Sequence, residues 1–404
     1  MLWTILLTCL LIAAGVAAWQ WHARVTTTIS QLVNTLRDRG IRVFEVTLPE
    51  RIGHFAGEPE LWLKKKVLDG TEHTPTVLVA SPDQVANPHL LTYWEEKFAC
   101  TISPTLWCRL QKLFPACKQL TFKSYEVMHA IDGTAGMYDI YARWNDRPPP
   151  LELRAEDKDH GLETLQKWGL QEGDWFVCVH NRERGYSPSD DHYHEYRNSA
   201  LDTIIPAMRE IVARGGWVIR MGDPSMTPLP PMERVIDYAH SPLRSARLDI
   251  ILCATARFFL GNTSGLFGVS TVFGVPVASA NFTPISAMQF TKHDLSIPKL
   301  LYLEQQNRHL TFPEAFASPA ANYRFSEQYE KEGLRVQDNS SDDIVDLTVE
   351  MLERVMGTCT YTAHDEELQQ AFRAFLKPGH YAYGSAARTG RNFLRKNESL
   401  FQAY

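Results

Sequence analysis

The feature that most constrains the fold is an alternation of short apolar runs with segments of helical spacing. Residues 41–46 and 76–80 predict strands, and residues 61–67 and 90–98 predict the helices that follow them. Strands that alternate with short helices are typical of a parallel sheet with helices on both faces. The first part of the chain therefore predicts an α/β lobe.

A second series of the same kind follows an irregular stretch. Residues 100–150 show no clear period and end in three consecutive prolines, which form a stiff linker. After them the predicted strands are residues 175–179, 217–220, 234–238, 258–260 and 275–279, and the predicted helices are residues 206–214, 249–256 and 266–273. We expect an α/β protein with two Rossmann-like lobes. The predicted divisions are 1–24 for an apolar N-terminal segment, 25–150 for the first lobe, 151–320 for the second and 321–404 for a helical extension.

The N-terminal segment has the length of a bilayer span. Residues 2–19 carry no charge, and an α-helix of this length would cross a lipid bilayer about once. Trp19 and Trp21 would lie at the interface, and Arg24 begins a group of basic residues after the span, so the remaining chain would stay in the cytoplasm. The alternative is a signal peptide that is cleaved after the small residues at 16–18. We expect an uncleaved membrane-anchor helix.

The charge balance and the cysteine pattern exclude two classes of function. Lys and Arg total 41 against 47 for Asp and Glu, so the net charge is −6 and a dedicated nucleic-acid binder is disfavoured. The seven cysteines form no Cys-x-x-Cys pair and have no zinc-ligand spacing with histidine. Asp190, Asp191, His192 and His194 lie in a polar loop, which is weak evidence for a metal site. No metal site is expected.

The sharpest motif is Gly-Asn-Thr-Ser-Gly at residues 261–265, between an apolar strand and a helix. Asn262, Thr263, Ser264 and Gly265 would place hydroxyl groups and backbone N–H groups at a helix N-terminus, which favours a bound anion. The alternative is an ordinary turn with Ser264 as helix cap. The motif is neither a P-loop nor Gly-x-Gly-x-x-Gly. Asn262 stands two residues before Ser264, so the motif is not a serine nucleophile elbow either.

Two further polar groups follow predicted strands of the same lobe. His180 and Arg182 come directly after residues 175–179, and ligands of open α/β sheets bind outside the carboxyl ends of the strands. The guanidinium of Arg182 can bind a diphosphate or carboxylate with two parallel hydrogen bonds, and His180 can donate to a phosphate or a sugar hydroxyl. The alternative is a solvated charged loop.

The other strand-end group is Arg220, Gly222 and Asp223, after residues 217–219. An arginine at the end of an apolar strand needs a partner, since an unpaired buried charge is costly. The alternative to a ligand is an internal salt bridge to Asp223 or Asp249. Three polar groups at three strand ends together predict a phosphate-bearing small ligand.

In the first lobe, Arg-Ile-Gly-His at residues 51–54 follows the first strand and predicts a loop that would face the cleft between the lobes. An unperturbed histidine titrates near neutrality, so His54 is the candidate general base. The alternative is a structural or simply exposed histidine.

These motifs resemble a bacterial family of glycosyltransferases that is defined mostly by sequence. The matching stretches are residues 51–54, 179–183, 196–198, 218–223, 236–239, 261–265, Asn281 and 392–397. More distantly, the 261–265 loop followed by Gly-Val-Pro at 274–276 is similar to the donor lobe of heptosyltransferases. His180 and Arg182 are similar to the start of the corresponding loop in fucosyltransferase-type enzymes. Both groups have the two-lobed GT-B architecture, usually without a bound metal.

The resemblance implies a metal-independent glycosyltransferase. The predicted anchor helix would place it at the inner membrane, with its catalytic part in the cytoplasm. It would move a sugar from a nucleotide-sugar donor to a glycan or lipid-linked acceptor, in the synthesis of surface polysaccharide or glycoconjugates. The second lobe would hold the donor and the first the acceptor. Arg182, Arg220, Ser264 and Gly265 would contact the donor phosphates, and His54 would be the base. The nucleotide sugar is a substrate, and no cofactor is expected.

Three other functions fit the same sequence. A nucleotide-sugar epimerase also uses two Rossmann-like lobes and needs no separate acceptor. A pyruvyl transferase that acts on surface polysaccharide is related by architecture. A non-catalytic, membrane-anchored glycan-binding protein would turn over no nucleotide sugar.

Overall fold

The computed structural model describes residues 2–123, 136–185 and 192–402, with side chains from Gln20 onward. The helices are α1 Leu2–Asp38, α2 Ile52–Leu68, α3 Pro88–Glu95, α4 Pro104–Leu113, α5 Gly136–Trp144, α6 Ala155–Lys167, α7 Ile205–Ala213, α8 Ala246–Thr255, α9 Phe267–Val272, α10 Phe312–Ala317, α11 Ser326–Lys331, α12 Ser341–Val355, α13 Ala363–Phe375 and α14 Arg391–Lys396. The strands are β1 Arg42–Glu45, β2 Thr76–Val79, β3 Cys100–Ile102, β4 Thr121–Lys123, β5 Phe176–His180, β6 Trp217–Arg220, β7 Val235–Ile236, β8 Phe259–Gly261, β9 Val277–Phe282, β10 Leu295–Pro298, β11 Leu300–Leu303, β12 Arg308–His309, β13 Leu334–Gln337 and β14 Arg388–Thr389.

The first sheet has the strand order β3-β2-β1-β4, and its pairs are parallel. The chain begins at β1, moves outward to β3 and returns to the other side of β1 with β4. Phe44 of β1 is fully buried and its ring stacks with those of Trp62 and Phe98 at centroid distances of 5.6 and 6.0 Å. The predicted parallel α/β character of this part of the chain is confirmed.

The second sheet has the order β14-β10-β9-β8-β5-β6-β7, again with parallel pairs. The chain starts at β5, moves through β6 to β7, and then returns to the opposite side of β5 with β8. This reversal of direction leaves a crevice outside the carboxyl ends of β5 and β8, where ligands bind in sheets of this order. The polar groups that follow β5 and β8 thus lie at the reversal point.

The C-terminal segment was expected to be a helical extension, and this expectation is wrong in part. Strand β14 forms the outer edge of the second sheet, and β13 pairs with β11 in a small antiparallel sheet of order β12-β11-β13. A two-residue strand such as β14 shows no period in a sequence, because alternation needs several residues to become visible. The division of the chain into domains stays a prediction.

Helix α1 runs from Leu2 to Asp38 and packs its C-terminal part on the first lobe. Ile29, Val33 and Leu36 form an apolar stripe against Trp107 and Cys117. Among the residues that the structure describes, no helix is both long enough and apolar enough to cross a bilayer. The structure therefore does not support the predicted membrane anchor, and the location at an inner membrane stays a prediction.

Helix α2 begins nine residues earlier than the sequence predicts. Its first turn contains Gly53 and His54, which the sequence suggested to be part of a loop, and Pro59 lies inside it. Proline in a helix removes one hydrogen bond and glycine lowers helix propensity, so the local sequence argues against this helix. Burial of Phe55 and Ala56 in the core offsets that preference, because packing outweighs propensity.

The two lobes meet where α2 crosses α9. A Cβ atom on Gly265 would lie 2.7 Å from the backbone nitrogen of Gly53, and a Cβ atom on Gly53 would lie 2.7 Å from the Cα atom of Gly265. Distances below about 3 Å are not tolerated between these atoms, so each position admits only glycine. This close approach brings the first turn of α2 to the loop that follows β8.

A buried carboxylate makes a second connection between the lobes. Asp157 of α6 is 1% exposed and accepts hydrogen bonds from His89 of α3 at 2.9 Å and Arg247 of α8 at 2.6 Å. Tyr93 of α3 donates to the same carboxylate. Because a buried charge is stable only when it is paired and hydrogen-bonded, this group fixes α3 against α6 and α8.

We expect Gly265→Ala to lower the free energy of unfolding by about 1–3 kcal/mol, since the added methyl group overlaps the backbone of α2. Gly268→Ala, three residues further on in α9, is the matched control, because its Cβ atom would lie 3.7 Å from the nearest atoms. Urea denaturation measures both. Equal stability of the two variants would contradict the proposed backbone contact.

Candidate functional site

A cavity of about 680 Å³ opens between the two sheets. It is bounded by α2 of the first lobe and by the loops that follow β5, β6 and β8 of the second. Eight of the ten predicted site residues line it: His54, His180, Arg182, Gly222, Asp223, Thr263, Ser264 and Gly265. Arg220 and Asn262 do not. The three strand-end groups therefore do converge, as expected from the shared edge of a parallel sheet.

Three arginines form the electrostatic centre of the cavity: Arg51, Arg182 and Arg197, named here the arginine cluster. Burial lowers the pKa of Arg197 to about 10, and the positive charges of Arg182 and Arg51 act in the same direction. A group with a pKa of about 10 stays protonated near neutral pH. All three arginines are half-buried, and like charges that are held together in such a cavity favour a bound anion.

The partners of Arg197 are dipoles and not carboxylates. Its Nε atom donates to the carbonyl of Thr263 at 3.1 Å, and none of the ion pairs among the described residues includes it. Arg182 donates to the carbonyl of His194 at 3.2 Å and to the side-chain oxygen of Asn198. The positive charge of Arg197 is thus oriented by the protein but not neutralised within the described part of the chain.

Ser264 and Thr263 differ in what their hydroxyl groups do. The Oγ atom of Ser264 is buried and has no hydrogen-bond partner among the described residues, although the residue lines the cavity. Thr263 instead accepts a hydrogen bond from the backbone N–H of Thr283 at 2.8 Å. A buried hydroxyl without a partner costs free energy, which a ligand would recover. Ser264 is therefore the candidate hydroxyl donor to a ligand, whereas Thr263 supports the loop.

Asn262 was predicted to contact the ligand, and the structure gives it another role. Its side chain is 2% exposed, accepts from the backbone N–H of Arg182 at 3.0 Å and donates to the backbone carbonyl of Arg197 at 3.3 Å. It also donates to Ser199 Oγ at 3.0 Å. Asn262 therefore holds the backbone of two arginines of the cluster in place without reaching the cavity.

Arg220 was predicted to bind the ligand phosphates, and this position is corrected as well. The side chain is fully buried, pairs with Glu183 at 2.9 Å and Asp237 at 3.0 Å, and donates to the carbonyl of Thr227 at 2.9 Å. Neither of the partners considered from the sequence, Asp223 or Asp249, pairs with it. Its two carboxylates lie 37 and 17 residues away in the chain. No local pattern could therefore identify them.

We expect Arg220→Ala to destabilise the protein by about 3–5 kcal/mol, because it leaves two carboxylates without their cation. Arg209→Ala, an exposed arginine of α7, is the control and should change stability by less than about 0.5 kcal/mol. Urea denaturation of the full-length variants gives both values. An Arg220→Ala protein as stable as the control would contradict the structural role.

His180 lies at the cavity as a neutral ring. Burial, together with the nearby positive charge of Arg220, lowers the pKa of His180 to about 4. Its Nδ1 atom lies 3.2 Å from the carbonyl of Met221, and since a carbonyl only accepts, Nδ1 carries the proton. The other ring nitrogen, Nε2, is then an acceptor. His180 is suited to accept a hydrogen bond from a hydroxyl group and not to pair with phosphate as a cation.

His54 forms a histidine–carboxylate pair with a residue that the sequence analysis missed. The Nδ1 atom of His54 lies 2.5 Å from Glu58, which is 1% exposed and also accepts from the backbone N–H of Thr47 at 2.7 Å. An ionised carboxylate only accepts, so Nδ1 carries the proton and Nε2 can take one. The pair lies four residues apart on α2. The sequence would have shown it if the helix had been predicted to begin at Ile52.

Arg51 and Arg197 occur in motifs that the sequence analysis quoted, but neither received a role. Their importance depends on their proximity to Arg182, which adjacent residue types do not reveal. The weak metal hypothesis falls partly on Asp190 and Asp191, which lie outside the described residues. Within the described residues no group of three or more His, Cys, Asp and Glu side chains could hold a metal ion. All six described cysteines are unpaired thiols.

Comparisons with known proteins add little. No protein-family model and no curated protein match the chain. Among solved structures it is similar to a glycosyl transferase family 9 protein from Veillonella parvula DSM 2008, with a TM-score of 0.37, 12% identity, and coverage of 76% of this chain and 80% of that chain. It is also similar to the dodecameric iron-containing heptosyltransferase TibC in complex with ADP-D-beta-D-heptose, with a TM-score of 0.35, 10% identity, and coverage of 63% and 61%. Likenesses at this level do not establish a common fold, so the function has to follow from the site itself.

Proposed function

We propose that the protein is a glycosyltransferase that moves a sugar from a nucleotide-sugar donor to an acceptor hydroxyl. The observation that carries the proposal is the arrangement of the cavity. An anion site, formed by the arginine cluster and Ser264, lies in one cavity with the His54–Glu58 pair. A transferase of this kind needs a charged site for its leaving group and a base for its nucleophile.

The donor diphosphate would bind at the arginine cluster. Planar guanidinium groups match the oxygen atoms of a diphosphate, and the Ser264 hydroxyl would donate an additional hydrogen bond. The crevice at the strand reversal is the usual place for a nucleotide in such a sheet, and about 680 Å³ lies within the range of ligand pockets. The neutral Nε2 atom of His180 would accept from a sugar or ribose hydroxyl.

The reaction would be a single displacement. The acceptor oxygen forms a bond to the anomeric carbon of the donor sugar, while the bond from that carbon to the diphosphate oxygen breaks. The acceptor proton passes to His54 Nε2, and the diphosphate leaves with the electron pair. Positive charge that is already in place at the leaving group stabilises the transition state. Glu58 holds the His54 ring in the required tautomer and stabilises the cation that forms.

The finer assignments are also proposals. A glycan or lipid-linked acceptor, a role in surface polysaccharide or glycoconjugate synthesis, and independence of metal ions follow from the family resemblance and from the arginine charge. The epimerase and glycan-binding alternatives each require only part of this arrangement, and the pyruvyl transferase stays an alternative. An epimerase needs no acceptor, and a binding protein needs no base.

We expect a nucleoside diphosphate to raise the melting temperature of the full-length protein in a chelating buffer. A ligand that binds only the folded state adds about 2.7 kcal/mol at a concentration of about 100 times its Kd. Arg197→Ala should weaken this binding by about 10- to 100-fold, because a charge-assisted hydrogen bond is lost. The Arg197→Ala variant should still fold, because removing one of the three like charges reduces the repulsion within the arginine cluster.

The matched control is Arg209→Ala, which removes an exposed arginine from α7 and should leave the ligand response unchanged. A panel of nucleoside diphosphates and nucleotide sugars would identify the donor class. If no member of the panel stabilises the protein, the proposed donor site is wrong and the glycan-binding alternative gains weight.

We expect His54→Gln to lower the kcat for the stabilising nucleotide sugar by about 10²–10⁴-fold, because the base is lost. Glu58→Gln should also lower kcat, by about 10²-fold or more, because the ring is no longer held in the productive tautomer. The KM for the donor should stay unchanged in both variants. Product formation over time, measured chromatographically, gives both constants.

His364→Gln, which changes an exposed histidine of α13, is the control for the loss of an imidazole. If His54→Gln retains the kcat of the control, the base is another residue. A parallel rise of KM with a fall of kcat in Glu58→Gln would indicate general damage to the site instead of lost orientation.

A further inference from the structure

The cavity has a second pole whose charge is opposite to that of the arginine cluster. It lies at the loop after β6 and at the first turn of α8, and we name it the acidic end after its two carboxylates, Asp223 and Asp249. Asp249 accepts from the hydroxyl of Tyr238 at 2.7 Å, and Asp223 accepts from a backbone N–H two residues on at 2.9 Å. Neither carboxylate belongs to an ion pair within the described part of the chain.

Asp249 is half-buried and has acceptor capacity to spare. Burial raises the pKa of its carboxyl group, whereas the hydrogen bond from Tyr238 and the positive charge of Arg244 act in the opposite direction. Arg244 lines the cavity at an exposed position. An ionised carboxylate has about four lone-pair sites, and the described residues supply a donor to one of them. A ligand with N–H groups would therefore stabilise this carboxylate.

The strand order arranges the polar groups of the cavity in a row. The loop after β8 carries Ser264, His180 ends β5, and the loop after β6 carries Asp223. Neighbouring strands lie about 4.8 Å apart, so the loops after β8 and β6 are separated by about 10 Å. Asp249 is held by Tyr238, which follows β7, the strand on the far side of β6. The acidic end is therefore on the side of the cavity away from Ser264.

Apolar residues surround the acidic end. The backbone N–H of Ala86 donates to the carbonyl of Pro49 at 2.8 Å, which fixes the loop that contains Leu48. The neighbouring Asn87 donates to the carbonyl of Ala246, at the start of α8, at 2.9 Å. Leu48 of the first lobe is therefore held close to the first turn of α8, although it is 40% exposed. The apolar residues that line this part of the cavity are Leu48, Met221, Met226 and Ile250. They form a surface suited to the faces of a planar ring.

We propose that the acidic end binds a guanine base, so that the donor is a guanine nucleotide sugar; this inference rests on the proposed function. Of the five common nucleobases, only guanine presents N–H donors on two adjacent positions of one edge, N1–H and N2–H. The carboxylate of Asp249 can accept both in parallel. The guanidinium of Arg244 would donate to the O6 carbonyl of the same base.

Each of the other bases would place an acceptor atom against Asp249. Adenine and cytosine carry a ring nitrogen with a lone pair beside the amino group, and uracil and thymine carry a carbonyl on each side of their single N–H. An ionised carboxylate only accepts, so these atoms would be repelled and would lose their hydrogen bonds to water. The site therefore discriminates by chemistry and not only by size.

The remaining parts of a guanosine diphosphate follow the row of polar groups. Its ribose would lie beside Asp223 and the Nε2 atom of His180, which both accept hydrogen bonds from hydroxyl groups. Its diphosphate would then reach Ser264 and the arginine cluster. The order of base, ribose and diphosphate thus matches the order of the groups from α8 to the loop after β8.

Isothermal titration calorimetry on the full-length protein tests the base preference. The probes are the diphosphates of guanosine, inosine, xanthosine, adenosine and uridine, each in the same chelating buffer. Guanosine diphosphate should bind about 10-fold or more tightly than the adenosine and uridine compounds, because a contact with two parallel hydrogen bonds discriminates by at least that factor. Inosine diphosphate, which lacks the N2 amino group, should bind with an intermediate Kd.

Asp249→Asn should weaken guanosine diphosphate by about 10-fold or more and should bind xanthosine diphosphate more tightly than the wild type does. The new amide can donate to the carbonyl that replaces the amino group of guanine in xanthine. The variant should fold, because its amide oxygen can still accept from Tyr238 and no ion pair of the described residues is broken. Asp159→Asn, at an exposed position of α6, is the matched control and should leave both Kd values unchanged.

Two results would overturn the inference. They are adenosine or uridine diphosphate binding as tightly as guanosine diphosphate, and an Asp249→Asn protein in which the ratio of the guanosine and xanthosine diphosphate Kd values is that of the wild type. Either result would leave the anion site intact, because binding of every diphosphate would still depend on Arg197.

Failure of the proposed function gives a different pattern. Guanosine and uridine carry no phosphate, so saturation-transfer NMR with these nucleosides probes the acidic end without the arginine cluster. A guanosine signal that exceeds the uridine signal and falls in Asp249→Asn supports the base site, even if Arg197→Ala leaves diphosphate binding unchanged and the donor site is thereby wrong. The absence of binding by every nucleotide and nucleoside would overturn both proposals.

Discussion

The backbone contact between Gly53 and Gly265 is the constraint on which the site depends. It sets how closely α2 of the first lobe approaches the loop after β8 of the second, because any side chain at either position would separate them. Arg51 and His54 flank one side of this contact, and Ser264 flanks the other. The arginine cluster and His54 are thus brought into one cavity by the absence of two side chains and not by attraction between the groups themselves. The repulsion within the arginine cluster makes this rigid support necessary.

Two buried polar side chains supply the rest of that support. Asn262 holds the backbone of Arg182 and Arg197, and Arg220 neutralises Glu183, which also lines the cavity. In a low-dielectric interior such networks are strong when every partner is present and costly when one is removed. The positive charge of the cavity is therefore concentrated where a leaving diphosphate would need it, while the carboxylate beside it is already paired.

The cavity contains two kinds of chemistry along a single helix. Near its N-terminus α2 carries the charged and titratable groups, and one turn later it presents a bare backbone at Gly57 next to two phenylalanine rings. The first part suits an anion and proton transfer, and the second is an apolar surface within the same cavity.

The sequence by itself determined the α/β class, the parallel sheets and the convergence of polar groups at the second sheet. The apolar periodicity and the alternation of strands with helices suffice for these, because the carboxyl ends of parallel strands share one edge. Only the tertiary structure decided which of those polar groups face the ligand. Arg220 and Asn262 face inward because their partners come from distant parts of the chain. Glu58 reaches His54 because core packing stabilises a helix that includes Gly53 and Pro59, two residues that disfavour helix in the sequence. Sequence periodicity indicates which side of a helix or strand is apolar. It does not indicate which distant charged residue will neutralise a buried charge.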